Sequence, residues 1–273
     1  MTSSVSREAY GDASAQLASN TTTATAPQLA TVADEILSVA GLLRAQPRLR
    51  RALTDPSRPG SDRAGLLKSL LAGKLSEIAV NAVAALVAGR FSRPSELLDA
   101  TERLGVDALL ASAERDGKLS DVEDELFRFS QIVSGDSALA VTLSDVSAPI
   151  ERRVKLVQDL LKGKVHVATG RLVEVALTGF GGRGFEASLT RLVEATAAKR
   201  DREVAYVTVA KPLTDADEQA LTSKLSAVYG REVSLKVDVQ PAVLGGVSVR
   251  VGSDLYDGTV LRKLNAAKQA FAK

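Results

Sequence analysis

Residues 66–74 read Leu-Leu-Lys-Ser-Leu-Leu-Ala-Gly-Lys, and residues 156–164 read Leu-Val-Gln-Asp-Leu-Leu-Lys-Gly-Lys. The two stretches lie 90 residues apart, and the same offset relates many other positions without a gap. Self-similarity at a fixed period predicts a duplicated module. The positions that recur 90 residues later also include Val32, Asp34, Glu35, Leu49, Leu53, Asp55, Ser57, Pro59, Arg63, Val83, Gly89, Arg93 and Glu96.

Each module is predicted to be helical. In the first copy, apolar residues recur at spacings of three and four, which is one stripe of a helix, at Val32, Ile36, Val39 and Leu43. Glycine stands where a C-terminal cap belongs, at Gly73 and again at Gly163. Since a lone helix cannot bury such a stripe, each copy is expected to form a helical bundle.

The pattern divides most of the chain into two tandem bundles. The first is predicted over residues 1–105 and the second over 106–200. Within the first, the small polar residues of 18–28 are expected to form a flexible connector.

The periodicity changes after about residue 200. Residues 204–209 form a β-rich run, and apolar residues alternate with polar ones in two further runs, 233–239 and 247–251, which is typical of strands. Between the first two runs, Thr214 and Asp217 resemble a capping box at a helix start. Residues 201–273 therefore predict a strand–helix–strand–hairpin–helix domain, and the fold class is mainly α with a C-terminal α/β unit.

The composition excludes several kinds of site. The 273 residues contain no Cys and one His, His166, so thiolate chemistry, disulfides and Cys- or His-pair metal sites are excluded. The 35 basic and 33 acidic residues give a net charge of +2, too little to favour nucleic acid or anionic lipid. No apolar run approaches the roughly 20 residues that span a bilayer. His166 is expected to be an ordinary residue near a helix start.

The glycine-rich segment 179–184, Gly-Phe-Gly-Gly-Arg-Gly, fits the pattern of a dinucleotide-binding loop. Two features oppose that interpretation. The strand-like run that follows ends at Ala210-Lys211-Pro212 instead of an acidic residue, and the first copy lacks these glycines. A glycine-rich turn between helices is favoured, and a nucleotide-binding oxidoreductase stays as an alternative. No nucleophile–base pair or metal set is found, so we expect no catalytic, cofactor-binding or metal-binding residues.

Residues 245–264 read Gly-Gly-Val-Ser-Val-Arg-Val-Gly-Ser-Asp-Leu-Tyr-Asp-Gly-Thr-Val-Leu-Arg-Lys-Leu. This run resembles the delta subunit of bacterial F-type ATP synthase, a relative of the mitochondrial oligomycin-sensitivity-conferring protein. That family ends in a glycine pair, a strand, a turn glycine, Asp-Gly and an amphipathic helix. The matching residues here are Gly245, Gly246, Gly252, Asp257, Gly258 and Leu264.

The resemblance extends backward from that motif. Residues 109–119 are similar to the family's first bundle helix, so about 106–273 resemble an entire subunit and the upstream copy is additional bundle material. The Gly-Arg that often follows the family's fifth helix is present at Gly89 and Arg90, whereas the second copy has Gly179 and Phe180. The resemblance therefore does not choose which copy binds the catalytic head.

The resemblance implies a stator role without catalysis. The family joins the N-terminal helices of the alpha subunits, at the top of the catalytic head, to the b subunit of the peripheral stalk during proton-driven ATP synthesis. It implies a single copy in a hetero-oligomeric complex, peripheral to the cytoplasmic face of the bacterial cell membrane. The alternative is a free-standing helical scaffold or regulator.

We hypothesise that a partner helix enters a groove between the first and fifth helices of one bundle. Such a groove needs apolar anchors, although the same residues can equally belong to the core. The candidate anchors are Tyr10, Leu17, Val83 and Val87 in the first copy, and Leu109, Leu110, Leu172 and Val173 in the second.

Overall fold

The computed structural model describes residues 4–201, 204–229, 233–239, 245–251 and 254–258. These residues form a mainly helical fold with a small α/β unit, as predicted. The helices are α1 (Ser4–Asn20), α2 (Ala26–Ala45), α3 (Pro47–Leu53), α4 (Gly60–Leu71), α5 (Glu77–Ala88), α6 (Pro94–Arg115), α7 (Leu119–Gly135), α8 (Ser137–Ser144), α9 (Ile150–Leu161), α10 (Val167–Leu177), α11 (Phe185–Asp201) and α12 (Asp215–Tyr229). The strands are β1 (Val204–Val209), β2 (Ser234–Val239), β3 (Val247–Val251) and β4 (Asp254–Asp257).

Side chains at helix N-termini explain where several helices begin. The Asp136 carboxylate accepts the backbone N–H of Ala138 at 3.0 Å at the start of α8. The Nδ1 atom of His166 accepts the N–H of Ala168 at 3.2 Å at the start of α10. Each bond satisfies a backbone donor that has no partner inside the helix. The single histidine is therefore a helix cap, so it lies at a helix start as predicted.

The segment 18–28 is not the long flexible connector that the sequence predicted. Helices α1 and α2 leave only residues 21–25 between them. Thr25 forms a capping box at the start of α2, and the Arg115 guanidinium donates to the carbonyl of Ala24 at 2.6 Å. Small polar residues serve here as a helix end and a cap, because their side chains hydrogen-bond readily to nearby backbone groups.

Helix α6 runs without a break through the boundary predicted at 105/106. Gly105 lies in its interior, where a Cβ atom would come within 2.7 Å of the Leu37 side chain on α2. The buried residues from Tyr10 to Leu192 form one continuous core, and Met1–Thr196 form one compact unit. The helical region therefore does not divide at 105/106, because its two repeats share a helix and a core.

Within this unit the helices keep the 90-residue offset. Helices α4 and α9, and likewise α5 and α10, begin 90 residues apart. The turn before α4 is closed by the N–H of Ser57, which donates to Asp55 Oδ1 at 3.0 Å. The turn before α9 is closed by Ser147 and Asp145 in the same way, at 2.9 Å. Positions 90 residues apart can therefore be compared directly between the two repeats.

A second unit comprises Ala197–Lys273. Its sheet has the strand order β2-β1-β3-β4. Strand β1 is parallel to β2, with Val207 opposite Val237, and antiparallel to β3, with Val207 opposite Val249. The parallel pair is joined through α12, as a parallel connection requires. The unit has its own core, which contains Ala205, Val207, Val209, Leu225, Val233, Val249 and Val251.

The helix start predicted at Thr214 is present, and Thr214 caps α12 with its side chain. The N–H of Asp217 donates to the Thr214 hydroxyl oxygen at 3.2 Å, and that hydroxyl donates to the Asp217 carboxylate at 2.7 Å.

Part of the C-terminal motif lies in the described residues. After β4, the N–H of Gly258 donates to the Val247 carbonyl at 2.9 Å. Of the glycine pair, Gly246 has a φ of 80°, a conformation that favours glycine. Asp257 ends β4. Gly252, Leu264 and the predicted final helix lie outside the described residues.

Candidate partner-binding surfaces

All eight residues predicted to line open grooves are core residues. Each is at most 7 % exposed; they are Tyr10, Leu17, Val83, Val87, Leu109, Leu110, Leu172 and Val173. The apolar stripes that suggested these residues are the stripes through which α1, α5, α6 and α10 pack on one another. The hypothesis that they offer a free groove is therefore corrected, because the helical unit already covers them.

Tyr10 shows how closely α1 is held against α6. Its hydroxyl donates to the Asp107 carboxylate, and the Arg103 guanidinium carbon lies 4.6 Å from the centre of its ring. A cation over an aromatic face is attracted by the ring electrons. Tyr10 is thus a structural contact between two helices rather than an anchor for a partner.

The glycine-rich segment 179–184 forms a turn between helices. It follows helix α10, not a strand, so the strand–loop–helix geometry of a dinucleotide site is absent and that interpretation is wrong. Gly179 and Gly181 have φ values of 84° and 62°, where side chains with a Cβ are strained. The N–H of Gly181 donates to Glu102 Oε2 at 2.8 Å. The glycines therefore let this turn reach a carboxylate on α6.

Glu102 joins three parts of the helical unit, and no pattern in the sequence points to it. It lies on α6, is 2 % exposed, accepts the Gly181 N–H and forms an ion pair with Arg44 of α2. Burial raises the pKa of the Glu102 carboxyl, while the Gly181 N–H and Arg44 act in the opposite direction. A buried carboxylate is retained only when such partners compensate for lost hydration.

The second repeat packs on a groove of the first. Leu37, Ala40, Gly41 and Arg44 of α2, with Glu102 of α6, line one side of that groove; Val154 of α9 and Arg171 and Val175 of α10 line the other. An ion pair of 3.2 Å between Arg171 and Asp34 closes the contact at its edge. Residues of α2 thus face helix α10 of the second repeat across a space of about 230 Å³.

Exposed apolar side chains are concentrated in the second repeat. Five residues there are more than half exposed: Phe127 (53 %), Ile132 (59 %), Val141 (70 %), Val146 (88 %) and Val167 (71 %). The large apolar side chains exposed in the first repeat have a smaller exposed fraction, 38–41 %; they are Val5, Leu42 and Leu70. A repeat that exposes more of its large apolar side chains has more apolar surface to offer a partner. The second repeat is therefore the better candidate for binding other proteins.

A cavity of about 520 Å³ also borders the second repeat. Its walls include Arg44, Ile150, Arg153, Leu177 and Phe185. Arg153 is 8 % exposed and donates to the carbonyls of Leu143 and Leu177 at 3.2 and 3.4 Å. Its buried Nε atom has no hydrogen-bond partner in the described residues.

Two other kinds of site were sought among the described residues. They contain no cluster of three or more acidic, His or Cys side chains that would hold a metal ion. None of their helices combines the length and the apolar character needed to cross a membrane.

The comparison with protein families matches the part of the chain that contains the second repeat and the C-terminal motif. A family model described as the ATP synthase delta (OSCP) subunit matches residues 106–271. The chain belongs to this family. It is also 59 % identical over 273 residues to the ATP synthase subunit delta of Salinispora arenicola, and 56 % identical to that of Salinispora tropica, in each case over 100 % of both chains.

More distant members of the delta family keep the same extent. The ATP synthase subunit delta of Streptomyces griseus is 41 % identical over 269 residues, covering 98 % of this chain and 99 % of the relative. The first repeat is thus common to these proteins. The chain is a subunit of ATP synthase and a stator component of its peripheral stalk, and it is not itself catalytic. The family therefore favours the stator over the free-standing scaffold and the oxidoreductase.

Proposed function

We propose that the chain joins the N-terminal helices of the alpha subunits to the b subunit of the peripheral stalk. The proposal places it at the cytoplasmic face of the bacterial cell membrane as a peripheral protein. The observation that supports it best is that one chain carries two compact units, each with its own core. Two separately folded units supply two attachments, and resistance to rotation requires both.

The helical unit is assigned to the alpha subunits. Its exposed apolar side chains, of which Phe127 and Val146 are examples, are suited to the apolar face of an amphipathic helix. The α/β unit is assigned to the b subunit. It also exposes apolar groups, with Val228 at 70 % and Tyr256 at 52 %.

Binding of this kind requires no turnover. A helix that buries about 600 Å² of apolar surface gains about 15 kcal/mol at roughly 25 cal/mol per Å². Association costs of about 4–15 kcal/mol reduce that gain. Because the net gain of a single helix can fall close to zero at the upper end of these costs, attachment at several helices would hold the head more firmly than attachment at one.

The test uses the absence of cysteine from the chain. A single cysteine at Val146, in the helical unit, or at Tyr256, in the α/β unit, gives one defined cross-linking position on this chain within the assembled ATP synthase. We expect Val146→Cys to cross-link to an alpha subunit and Tyr256→Cys to the b subunit, as identified by mass spectrometry of the joined peptides. The cysteine-free parent chain is the control.

Two outcomes contradict the proposal. Cross-links from Val146→Cys to b alone would reverse the assignment of the units. Failure of the chain to co-purify with the catalytic head would remove the attachment altogether and favour the scaffold alternative.

A further inference from the structure

Arg153 carries hydrogen-bond donors that the second repeat leaves unused. The residue lies on α9 and is 8 % exposed. Its Nη1 atom makes both of its hydrogen bonds, to the carbonyls of Leu143 and Leu177. The buried Nε atom has no partner among the described residues, and Nη2 forms no hydrogen bond with them. The edge of the guanidinium that presents Nε and Nη2 is therefore free of acceptors from this part of the chain.

The equivalent arginine of the first repeat shows what a buried guanidinium at this position requires. Arg63 uses Nε, Nη1 and Nη2 together to reach five backbone carbonyls. A buried charged group is costly unless its donors are satisfied. Because the described residues supply acceptors to Nη1 of Arg153 alone, we expect an acceptor from outside the chain at its other two nitrogens.

Arg153 is part of the wall of the cavity of about 520 Å³. Two further arginines line this cavity, Arg44 and Arg183, and one acidic residue does so, Glu186. Arg44 is neutralised by its ion pair with Glu102. The remaining charges of the wall are still in excess on the positive side, and such a surface attracts an anion.

The first turn of α11 lines the same cavity, through residues 185–187. The first N–H groups of a helix have no partner inside it and lie at the positive end of the helix dipole, which suits an oxyanion. The N–H of Ser188 donates to the carbonyl of Gly184. The preceding N–H groups of the turn therefore remain for a ligand. The cavity thus combines two donor sets, the arginine edge and the start of a helix of 17 residues.

The rest of the wall is largely apolar, with Val146, Ile150, Leu177 and Phe185. Sites for small molecules typically have volumes of about 300–1,000 Å³ and combine apolar walls with a few placed polar groups. The volume here lies in that range. A bare ion would leave the apolar walls without a contact, so the ligand is expected to join an oxyanion to an apolar group.

The two donor sets favour a phosphate over a carboxylate. A phosphate monoester has three terminal oxygens that accept hydrogen bonds. It can therefore bind the paired donors of an arginine edge and still offer an oxygen to a helix N-terminus. A carboxylate has two oxygens, and a bidentate contact with the arginine engages both.

We propose that this cavity is a binding site for a small phosphate monoester that carries an apolar group. The phosphate accepts hydrogen bonds from Arg153 and from the first turn of α11, and the apolar group lies against Ile150 and Leu177. The proposal concerns a small molecule and not another subunit. It goes beyond the stator assignment and does not depend on it.

Three probes separate the parts of this ligand. Phenyl phosphate has the oxyanion and the ring, inorganic phosphate has only the oxyanion, and phenol has only the ring. Isothermal titration calorimetry with the full chain should show saturable binding of phenyl phosphate, with a Kd of about 1 mM or lower. Inorganic phosphate and phenol should each bind at least about fivefold more weakly.

Arg153→Lys tests the arginine edge. Lysine keeps the charge but cannot present two donors side by side, so binding of phenyl phosphate should weaken about tenfold. Arg152→Lys is the matched control. It is the same substitution at the neighbouring residue of α9, which is exposed and does not line the cavity, so it should leave the Kd unchanged. Circular dichroism of each variant shows whether the helical unit remains folded.

Two other variants test the rest of the wall. Ile150→Ala should weaken binding of phenyl phosphate about threefold and leave binding of inorganic phosphate unchanged, because only the ring contacts this side chain. Glu186→Gln should strengthen binding of both anions about twofold, since it removes a negative charge from the wall.

Several outcomes would overturn the proposal. Absence of saturable binding up to about 10 mM phenyl phosphate would leave water as the partner of Arg153. Equal losses for Arg153→Lys and Arg152→Lys would show that the arginine edge is not the site. Equal affinities for phenyl phosphate and inorganic phosphate would indicate an adventitious ion only.

The source of the phosphate is tested with vesicles that contain phosphatidic acid. The chain should not sediment with them, because the proposed ligand is a soluble small molecule. Sedimentation with these vesicles and no affinity for phenyl phosphate would assign the site to a lipid headgroup and overturn the proposal. None of these measurements needs ATP synthase, so they can fail while the stator assignment holds.

Discussion

Arg63 in the first repeat and Arg153 in the second occupy equivalent positions, and both are buried. Arg63 donates five hydrogen bonds, to the carbonyls of residues 55, 58, 87, 88 and 89. Arg153 donates two, to the carbonyls of residues 143 and 177, and it borders an open cavity. The arginine therefore hydrogen-bonds five carbonyls around the helix end in the first repeat, but only two in the second.

The difference arises at the end of α5 in the first repeat and at the end of its counterpart α10 in the second. In the first repeat the carbonyls of Val87, Ala88 and Gly89 all turn onto Arg63. In the second, the glycine-rich turn directs the N–H of Gly181 to Glu102 instead. The duplicated module thus keeps the buried arginine in both copies. The residues after the helix determine whether that arginine is fully hydrogen-bonded or borders a cavity.

The largest expected effect comes from removing these arginines one at a time. Arg63→Ala leaves five buried or half-buried carbonyls without their donor, and we expect it to lower the free energy of unfolding by about 3 kcal/mol or more. Arg153→Ala removes two longer bonds and should cost about 1 kcal/mol. Urea denaturation followed by circular dichroism measures both. Equal losses would contradict the contrast between the repeats.

A smaller effect is expected at the glycine-rich turn. Gly181→Val places a branched side chain at a φ of 62° and its Cβ within 2.6 Å of Arg183 Nη1, so it should cost about 2 kcal/mol of stability. The equivalent position in the first repeat is Phe91, where Phe91→Val should cost less. Calorimetry with NAD(P) should give no binding heat for the wild type or for Gly181→Val. Binding by the wild type that is lost in Gly181→Val would instead support the dinucleotide interpretation.

The contact between the repeats is expected to depend on pH. Burial raises the pKa of the Glu102 carboxyl above its ordinary value of 4.5. Protonation therefore favours the folded chain, so this contribution is complete below that value and is lost as pH rises through the folded-state pKa.

Comparison with Glu102→Gln isolates this dependence. The unfolding free energy of the wild type should rise relative to that of the variant as the pH falls from about 8 towards 5. Denaturant titrations of both chains at several pH values measure the difference. A difference that does not change with pH would refute this role for Glu102.

The smallest effect compares two acidic residues at equivalent positions of the repeats, Asp34 of α2 and Asp124 of α7. Asp34→Arg breaks an ion pair whose side chains are 42 % and 43 % exposed, and it should cost about 0.5 kcal/mol. Asp124→Arg has no such pair to break within the described residues and should change the stability by less than about 0.3 kcal/mol. Thermal unfolding of the two variants side by side provides the measurement. A larger loss for Asp124→Arg would show that its face is already occupied within the chain.

Local patterns in the sequence predicted the helices and strands, but not how these helices and strands pack on one another. The β-rich run around Val207 and the helix start at Thr214 depend on a few neighbouring residues, so they could be read directly. The close packing of Gly105 against Leu37 joins residues 68 positions apart, and no local pattern indicates it. Glu102 and Gly181 are 79 residues apart, and no periodicity links them.

The binding surface was harder to predict than the fold. An apolar stripe shows that a helix face is buried, but not whether its own chain or a partner buries it, and so the predicted anchors proved to be core. The useful signal was the difference between the copies. Gln131 and Ser134 of α7 replace Gly41 and Arg44 of α2, which marks the second face as a different environment.

The continuity of α6 has a mechanical consequence. Its 22 residues extend about 33 Å and belong to both repeats. A displacement applied at one repeat is transmitted to the other along an uninterrupted ladder of backbone hydrogen bonds, without a hinge that bends first. The helical unit should therefore deform as one stiff body. Elastic deformation under torque must then occur outside this unit.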